Sequence, residues 1–381
     1  MGQILENVAG RGHGDGTADA QPALGIIAVF GHLVQHEAAA GLDDGPGAAT
    51  VGALQGFVAA EARDISGEAF SRFMNDLYTR VFVMVNSQNP AEKLGGVRAI
   101  DALIGVGLSG EDAAKTTRFA NYLRDVFQPG TQPGTVRLAA RALGHLVRRG
   151  GPMTSDVVTF EVRRSIVWLQ EPAGGQRFAA CHILRELAEN APTVFNVHVS
   201  LFIGAVWGGL RDPSPEVRGA ALGALRACLV VVEQRETRYR VKWYYELFEE
   251  TKRGARRGAG SDSIHGSLLV IGELLRHTGE FMLARYREVV DLVLRYSSSR
   301  ERVVRVAVLA LVPRLAHFAP ERFSKSYLGQ SMSYLLASAR SLPERPAGFQ
   351  SLGQLALALR NVSSEHMRGM ETHLPAIAAL V

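Results

Sequence analysis

The sequence predicts an all-α protein, an α-solenoid of about seven stacked helix pairs behind a poorly ordered N-terminal extension. Three observations predict it. A helical motif returns about every 40 to 46 residues, and a regular period of that length marks a solenoid. Within the copies, apolar residues stand four and seven positions after a small anchoring residue, so the three share one helical face. Between the copies, Pro192, Pro213 and Pro320 punctuate turns, where proline removes no helical hydrogen bond.

Residues 1–60 fall outside the repeat. Gly10, Gly12, Gly14 and Gly16 make a flexible start, Ala23–Ala40 could form one helix, and Gly41–Thr50 is again rich in Gly, Asp and Pro. Such a stretch is expected to be a mobile extension, or else not the natural start of the protein.

Residues 61–381 are expected to form the solenoid. The anchors are Gly96, Ala140, Ala180, Ala221, Ser267, Val308 and Gly348, and most stand three positions after a Lys or Arg. Successive anchors lie 44, 40, 41, 46, 41 and 40 positions apart. That is the HEAT/armadillo range and too long for TPR or ankyrin units. Ile100 and Leu103 follow Gly96, Leu184 and Leu187 follow Ala180, and Leu225 and Cys228 follow Ala221. Ile271 and Leu274, Val312 and Leu315, then Leu352 and Leu355 continue the series. A small anchor lets the neighbouring helix approach closely. Upstream amphipathic stretches, such as Val157–Leu169, Val194–Trp207 and Arg285–Tyr296, supply the other helix of each pair. The clearest copy is Leu210–Leu229. There Asp212 is placed to cap the anchored helix, and Glu216 lies in its first turn, where acidic groups suit the helix dipole.

The bulk composition bounds the rest. Hydrophobic residues make up 47% and charged residues 21%, so the chain should fold. The two cysteines, Cys181 and Cys228, sit inside the helical pattern and are expected to be small core residues in a reducing compartment. The net charge is +5, spread mostly along helices. One cluster, Lys252-Arg-Gly-Ala-Arg256-Arg257, reads as a flexible basic loop or as a contact for an acidic partner or nucleic acid. No aromatic platform interleaves with it, which argues against nucleic acid. No apolar run reaches a membrane-spanning length. Glu6 stands where a myristoylation signal needs Ser or Thr, and the N-terminus lacks a signal-peptide pattern. The expected location is cytoplasmic.

A search for chemistry finds no catalytic constellation. Gly12-His-Gly-Asp-Gly16 lacks the glycine spacing of a dinucleotide fingerprint. His32 and His36 have Gln35, not Glu, at the inner position that zinc peptidase motifs require. There is no phosphate-binding GxxxxGK[ST] loop and no kinase Gly-rich loop, His-Arg-Asp loop or Asp-Phe-Gly. His145, His182 and His265 fall on helical faces and read as structural. The run Trp243-Tyr-Tyr-Glu-Leu-Phe248 would turn Tyr244, Leu247 and Phe248 to the core, and Trp243 or Tyr245 outward, as inter-repeat packing or as a partner anchor. Candidate partner contacts are therefore Trp243, Tyr245, Arg256 and Arg257.

Several strings are more specific than a HEAT consensus. Gln176-Arg-Phe-Ala-Ala-Cys-His-Ile-Leu-Arg-Glu-Leu-Ala-Glu-Asn-Ala-Pro192 resembles the N-terminal HEAT region of the target of rapamycin (TOR) protein kinases. So do Ala220–Leu229, Trp243-Tyr244 with Phe248-Glu-Glu250, Arg118–Arg124, Ile264–Leu269 and Leu311–Ala316, in the family's order, from about Glu61 onward. The family's first repeat is not recognisable before Glu61, and a long insertion after the helix equivalent to Ile264–His277 is absent or very short. The resemblance implies a fragment or incomplete gene prediction of a serine/threonine kinase controlling growth in response to nutrients. The FAT, rapamycin-binding and kinase regions, with their ATP and magnesium, would lie outside it. It implies a non-catalytic scaffold without a cofactor of its own, contacting a second TOR protomer and a Raptor- or Rictor-type regulatory subunit. The parent complex could also reach endomembrane surfaces or the nucleus. The alternatives are a stand-alone HEAT adaptor without kinase activity and a basic-surface binder.

Overall fold

The computed structural model describes residues 45–64, 66–106, 112–235, 239–362, 373 and 375. The chain divides into two compact units, one ending at Phe195 and one beginning at Asn196. The described regular elements are all helical.

Among its described residues the first unit has α1 (Gly45–Asp64), α2 (Gly67–Val85), α3 (Pro90–Ile104) and α4 (Asp112–Val126). It continues with α5 (Pro133–Gly150), α6 (Ser155–Trp168), α7 (Gly174–Asn190) and the single turn α8 (Pro192–Phe195). Helices α2 and α3, α4 and α5, and α6 and α7 pack as pairs, and α3, α5 and α7 stack on one another in series. The helix starts follow local chemistry. Ser66 Oγ accepts the Ala69 amide at the head of α2. Asn89 Oδ1 accepts the Ala91 amide at the head of α3, and Pro90 occupies the first helical position.

The expected boundary near residue 60 falls inside a helix. Leu54 and Val58 of α1 are fully buried, Phe57 meets Phe73 edge-on, and the Gln55 amide donates to the Ala102 carbonyl at 2.9 Å. An i, i+3, i+4 apolar stripe wins here over the glycines that precede it. The helix expected at 23–40, with His32 and His36, lies outside the described residues.

The second unit begins with α9 (Val199–Ala205), α10 (Trp207–Leu210), α11 (Pro215–Glu233), α12 (Arg240–Gly254) and α13 (Ser261–His277). Then come α14 (Glu280–Leu283), α15 (Tyr286–Leu294), α16 (Arg302–Phe318), α17 (Pro320–Ser326), α18 (Leu328–Arg340) and α19 (Arg345–Leu359). The pairs are α12 with α13, α15 with α16, and α18 with α19, while α10 packs on α11. The anchored helices α11, α13, α16 and α19 again stack in series. The stretch expected as one helix over 194–207 is broken. A 3₁₀ turn over Asn196–His198 separates α8 from α9, and a further break at Val206 precedes α10. Among the described residues no single helix is long and apolar enough to cross a membrane.

Each anchor sits in an anchored helix and is buried: Ala140, Ala180, Ala221, Ser267 and Val308 have no exposed surface, and Gly96 and Gly348 are buried with them. The reason for their size is visible where the two helices of a pair cross. A Cβ on Gly96 would lie 2.9 Å from the Val85 nitrogen of α2. One on Gly348 would lie 2.8 Å from the Ala339 nitrogen of α18. The residues at +4 and +7 fill the layer behind, although Leu352 remains half-buried.

In three repeats the basic residue three positions before the anchor has a second job. Arg218 Nη1 donates to the Asp212 and Pro213 carbonyls at 2.6 and 2.9 Å. Arg305 Nη1 donates to the Ser299 and Arg300 carbonyls at 2.6 and 2.7 Å, and Arg177 donates to the Glu171 carbonyl. The guanidinium thus reaches back five or six residues and satisfies the carbonyls of the turn that enters its own helix. Asp212 does not cap α11 as expected. Its carboxylate accepts the Ser214 amide at 2.7 Å and closes the turn itself.

Candidate interaction surfaces

The polar contacts of this chain repeat with the same step as its sequence. His145 Nδ1 meets Asp101 Oδ1 at 2.8 Å, 44 positions away. Arg218 meets Asp262 at 2.8 Å, also 44 positions away, and Arg305 meets Glu344 at 2.5 Å, 39 away. A charge on one anchored helix therefore finds its partner on the next repeat.

The most buried of these networks centres on Glu273 of α13. Its carboxylate has no exposed surface and receives Arg226 Nη2 and Nε at 2.7 and 2.9 Å. Burial opposes its charge, but the Arg226 hydrogen bonds, with His277 Nε2 3.6 Å away, outweigh burial and hold the carboxyl down at about 2. His265 is the converse. Burial, then the adjacent Arg218, push its imidazole down to about 4, so it is neutral and accepts the Arg218 Nε–H at 3.0 Å. His182 is likewise pushed down to about 4, by burial and by Arg137 and Arg185. These histidines are packed parts of the repeat. Among the described residues no three His, Cys, Asp or Glu side chains are grouped to hold a metal ion.

The four residues proposed as partner contacts divide. Trp243 is buried at 6% exposure, and its indole N–H donates to Ser200 Oγ at 2.9 Å. It is therefore part of the packing and is not available as an exposed anchor. Tyr245, two positions on, is 47% exposed. Its ring stands edge-on to Phe281, and the Arg285 guanidinium lies 4.7 Å from its centroid. Beside it, Trp207, Arg211, Glu246 and Glu249 help line a cleft of about 740 Å³. Arg256 and Arg257 are exposed in the turn after α12, where Gly258 takes a positive φ of 81°.

The basic run itself is weaker than its sequence suggests. Lys252 bridges Glu249 at 2.7 Å and Glu288 at 3.2 Å, and Arg253 pairs with Glu250. Both cysteines are buried. Sequence reasoning missed a second set of cations, Arg276, Arg314 and Arg360, which line one groove although 38 and 46 positions separate them.

No protein-family model matches the chain. Among curated proteins, it is 50% identical over 313 residues to the serine/threonine-protein kinase TOR of Arabidopsis thaliana, a match covering 82% of this chain and 13% of that protein. It is 35% identical over 318 residues to tor1 of Schizosaccharomyces pombe, covering 83% of this chain and 14% of the relative. The chain thus spans only about an eighth of the length of these relatives. In fold it matches a Kap121p mutant with a TM-score of 0.58 over 97% of this chain and 36% of that one, at 10% identity. Kap95 in its complex with Nup1 gives 0.57 over 99% of this chain and 45% of that one, at 12% identity. With the helix pairs and their period on one side and 33–50% identity over some four-fifths of the chain on the other, the chain belongs to the TOR family of serine/threonine protein kinases, as a HEAT-type solenoid segment of it.

Proposed function

We propose that this chain is an assembly segment of a TOR-type kinase, non-catalytic in itself and without a cofactor of its own. It would contact a second kinase protomer and a Raptor- or Rictor-type regulatory subunit in nutrient-responsive growth signalling, in the cytoplasm. The observation that carries the reading is the 50% identity to a TOR kinase over 313 residues. A solenoid suits the role because it presents a long run of surface on few residues per repeat. The exposed apolar side chains Leu201, Val241 and Tyr245 suit protein contact better than solvent.

The test is affinity capture with the whole 381-residue chain from cells expressing the regulatory subunit and tagged full-length kinase. Stoichiometric recovery of the regulatory subunit or the kinase is expected. Recovery of neither, from a chain with a cooperative melt, would leave the stand-alone adaptor as the better reading.

A further inference from the structure

A groove of about 820 Å³ crosses the C-terminal ends of α13, α16 and α19 in the second unit. Its cations are Arg276, Arg314 and Arg360, one from each helix region, and among the described residues no carboxylate lines it. The acid that acts on Arg314 is Glu273, which is fully buried and already held by Arg226 through two hydrogen bonds. Three helix C-termini also point this way, each equivalent to roughly half a negative charge. They offset about half of the three guanidinium charges, so the groove stays positive.

The cations are placed against apolar surface. Arg314 lies across Gly272, where a Cβ would stand 2.7 Å from its Nη1. Burial, and the like charges of Arg276 and Arg226, lower the proton affinity of Arg314 against the pull of Glu273. Leu275 forms part of the floor, Phe318 is half-buried, and Leu357 is 66% exposed at the edge. A large exposed leucine among guanidiniums that no described carboxylate hydrogen-bonds is a poor arrangement for water and a good one for an amphipathic partner.

We propose that this groove docks an acidic amphipathic segment of a partner protein, with carboxylates on Arg276, Arg314 and Arg360 and apolar side chains on Leu275, Phe318 and Leu357. The proposal rests on the assembly role above and names one kind of partner for it. Three stacked helices at roughly 8–10 Å spacing span about 20 Å. A helical segment of about 13 residues covers that distance at 1.5 Å per residue.

The test is fluorescence anisotropy on the whole chain with three labelled peptides of about 16 residues. One alternates Glu and Leu at helical spacing, one replaces Leu by Ser, and one replaces Glu by Lys. Only the Glu/Leu peptide is expected to bind. Combining Arg276→Glu with Arg314→Glu should weaken it at least about tenfold, and Leu357→Ser should weaken it severalfold without changing its salt dependence. Arg256→Glu with Arg257→Glu should have no effect. If charge reversal lowers the melting temperature, Arg276→Gln with Arg314→Gln gives the same reading with less repulsion. Equal binding of the Glu/Ser or Lys/Leu peptide, absence of binding by all three, or insensitivity to both Arg pairs would overturn the proposal. So would tighter binding by a chain carrying Glu365→Lys and Glu371→Lys, since the chain's own C-terminal residues would then be the occupant. Affinity capture by the parent chain reads the assembly role separately, so either can fail alone.

Discussion

Gly219 and Gly266 look alike in the sequence, each a glycine within the first turns of a helix shortly before an anchor. A methyl group would have opposite effects on them. A Cβ at Gly219 meets nothing within 4 Å, whereas one at Gly266 would lie 2.0 Å from the Leu210 carbonyl oxygen. That oxygen is backbone and cannot swing aside. Gly219→Ala should therefore stabilise the chain by about 0.5–1 kcal/mol. Gly266→Ala should destabilise it by about 3 kcal/mol, at the upper end of overpacking costs. Urea melts of the two variants check both signs, and a neutral Gly266→Ala would show that α10 and α13 do not pass this closely. Charge at Glu273 gives a second prediction. Its folded-state carboxyl lies at about 2, below the usual 4.3 or so of a free glutamate. The stability it contributes is present above that free value and is lost as pH falls from about 4.5 towards 2. Glu273→Gln should flatten the stability profile across that window. At pH 7 it should cost less than the ~3–5 kcal/mol typical of a broken buried pair, because Arg226 is 43% exposed and can rehydrate. An unchanged acid limb in chemical denaturation would remove Glu273 as its source.

At the level of elements, Pro313 interrupts the middle of α16 and cannot donate to the Leu309 carbonyl. Ser351 of α19 supplies the missing donor, its hydroxyl reaching that carbonyl at 2.8 Å in a buried setting. The proline and the serine stand one repeat apart and are coupled through one oxygen. Ser351→Ala should cost about 1–3 kcal/mol, the penalty of an unpaired buried carbonyl. In a Pro313→Ala background the helix can satisfy the oxygen itself, so the same substitution should cost much less. A double-mutant cycle that gives additive effects would contradict the coupling. The pair also shows what sequence reveals and what it hides. Anchor, +4 and +7 positions are legible because one helix face is a local pattern. The Ser351–Leu309 bond, the burial of Trp243 against Ser200, and the gathering of Arg276, Arg314 and Arg360 depend on residues about a repeat apart. A contiguous run such as Arg256-Arg257 is conspicuous in sequence, while a groove assembled from three repeats is not.

Across the whole molecule, the chain carries one thiol reporter in each compact unit. Cys181 lies in α7 of the first and Cys228 in α11 of the second, and neither has exposed surface. Burial also pushes the Cys228 thiol up, away from its reactive thiolate form. A thiol reagent should thus reach either sulfur only through local or global opening, at a rate set by the opening free energy. Cys228→Ser leaves Cys181 as the sole reporter, and Cys181→Ser leaves Cys228. Both native variants should label far more slowly than in denaturant. Because α11 and α13 pack directly and solenoid stability is carried between neighbouring repeats, Gly266→Ala in α13 should speed Cys228 labelling. A loss of about 3 kcal/mol corresponds to roughly a hundredfold if opening involves both helices. Labelling of Cys228 at an unchanged rate, beside a lowered urea midpoint, would mean that α13 opens without α11 and that the stack is less cooperative than its packing implies.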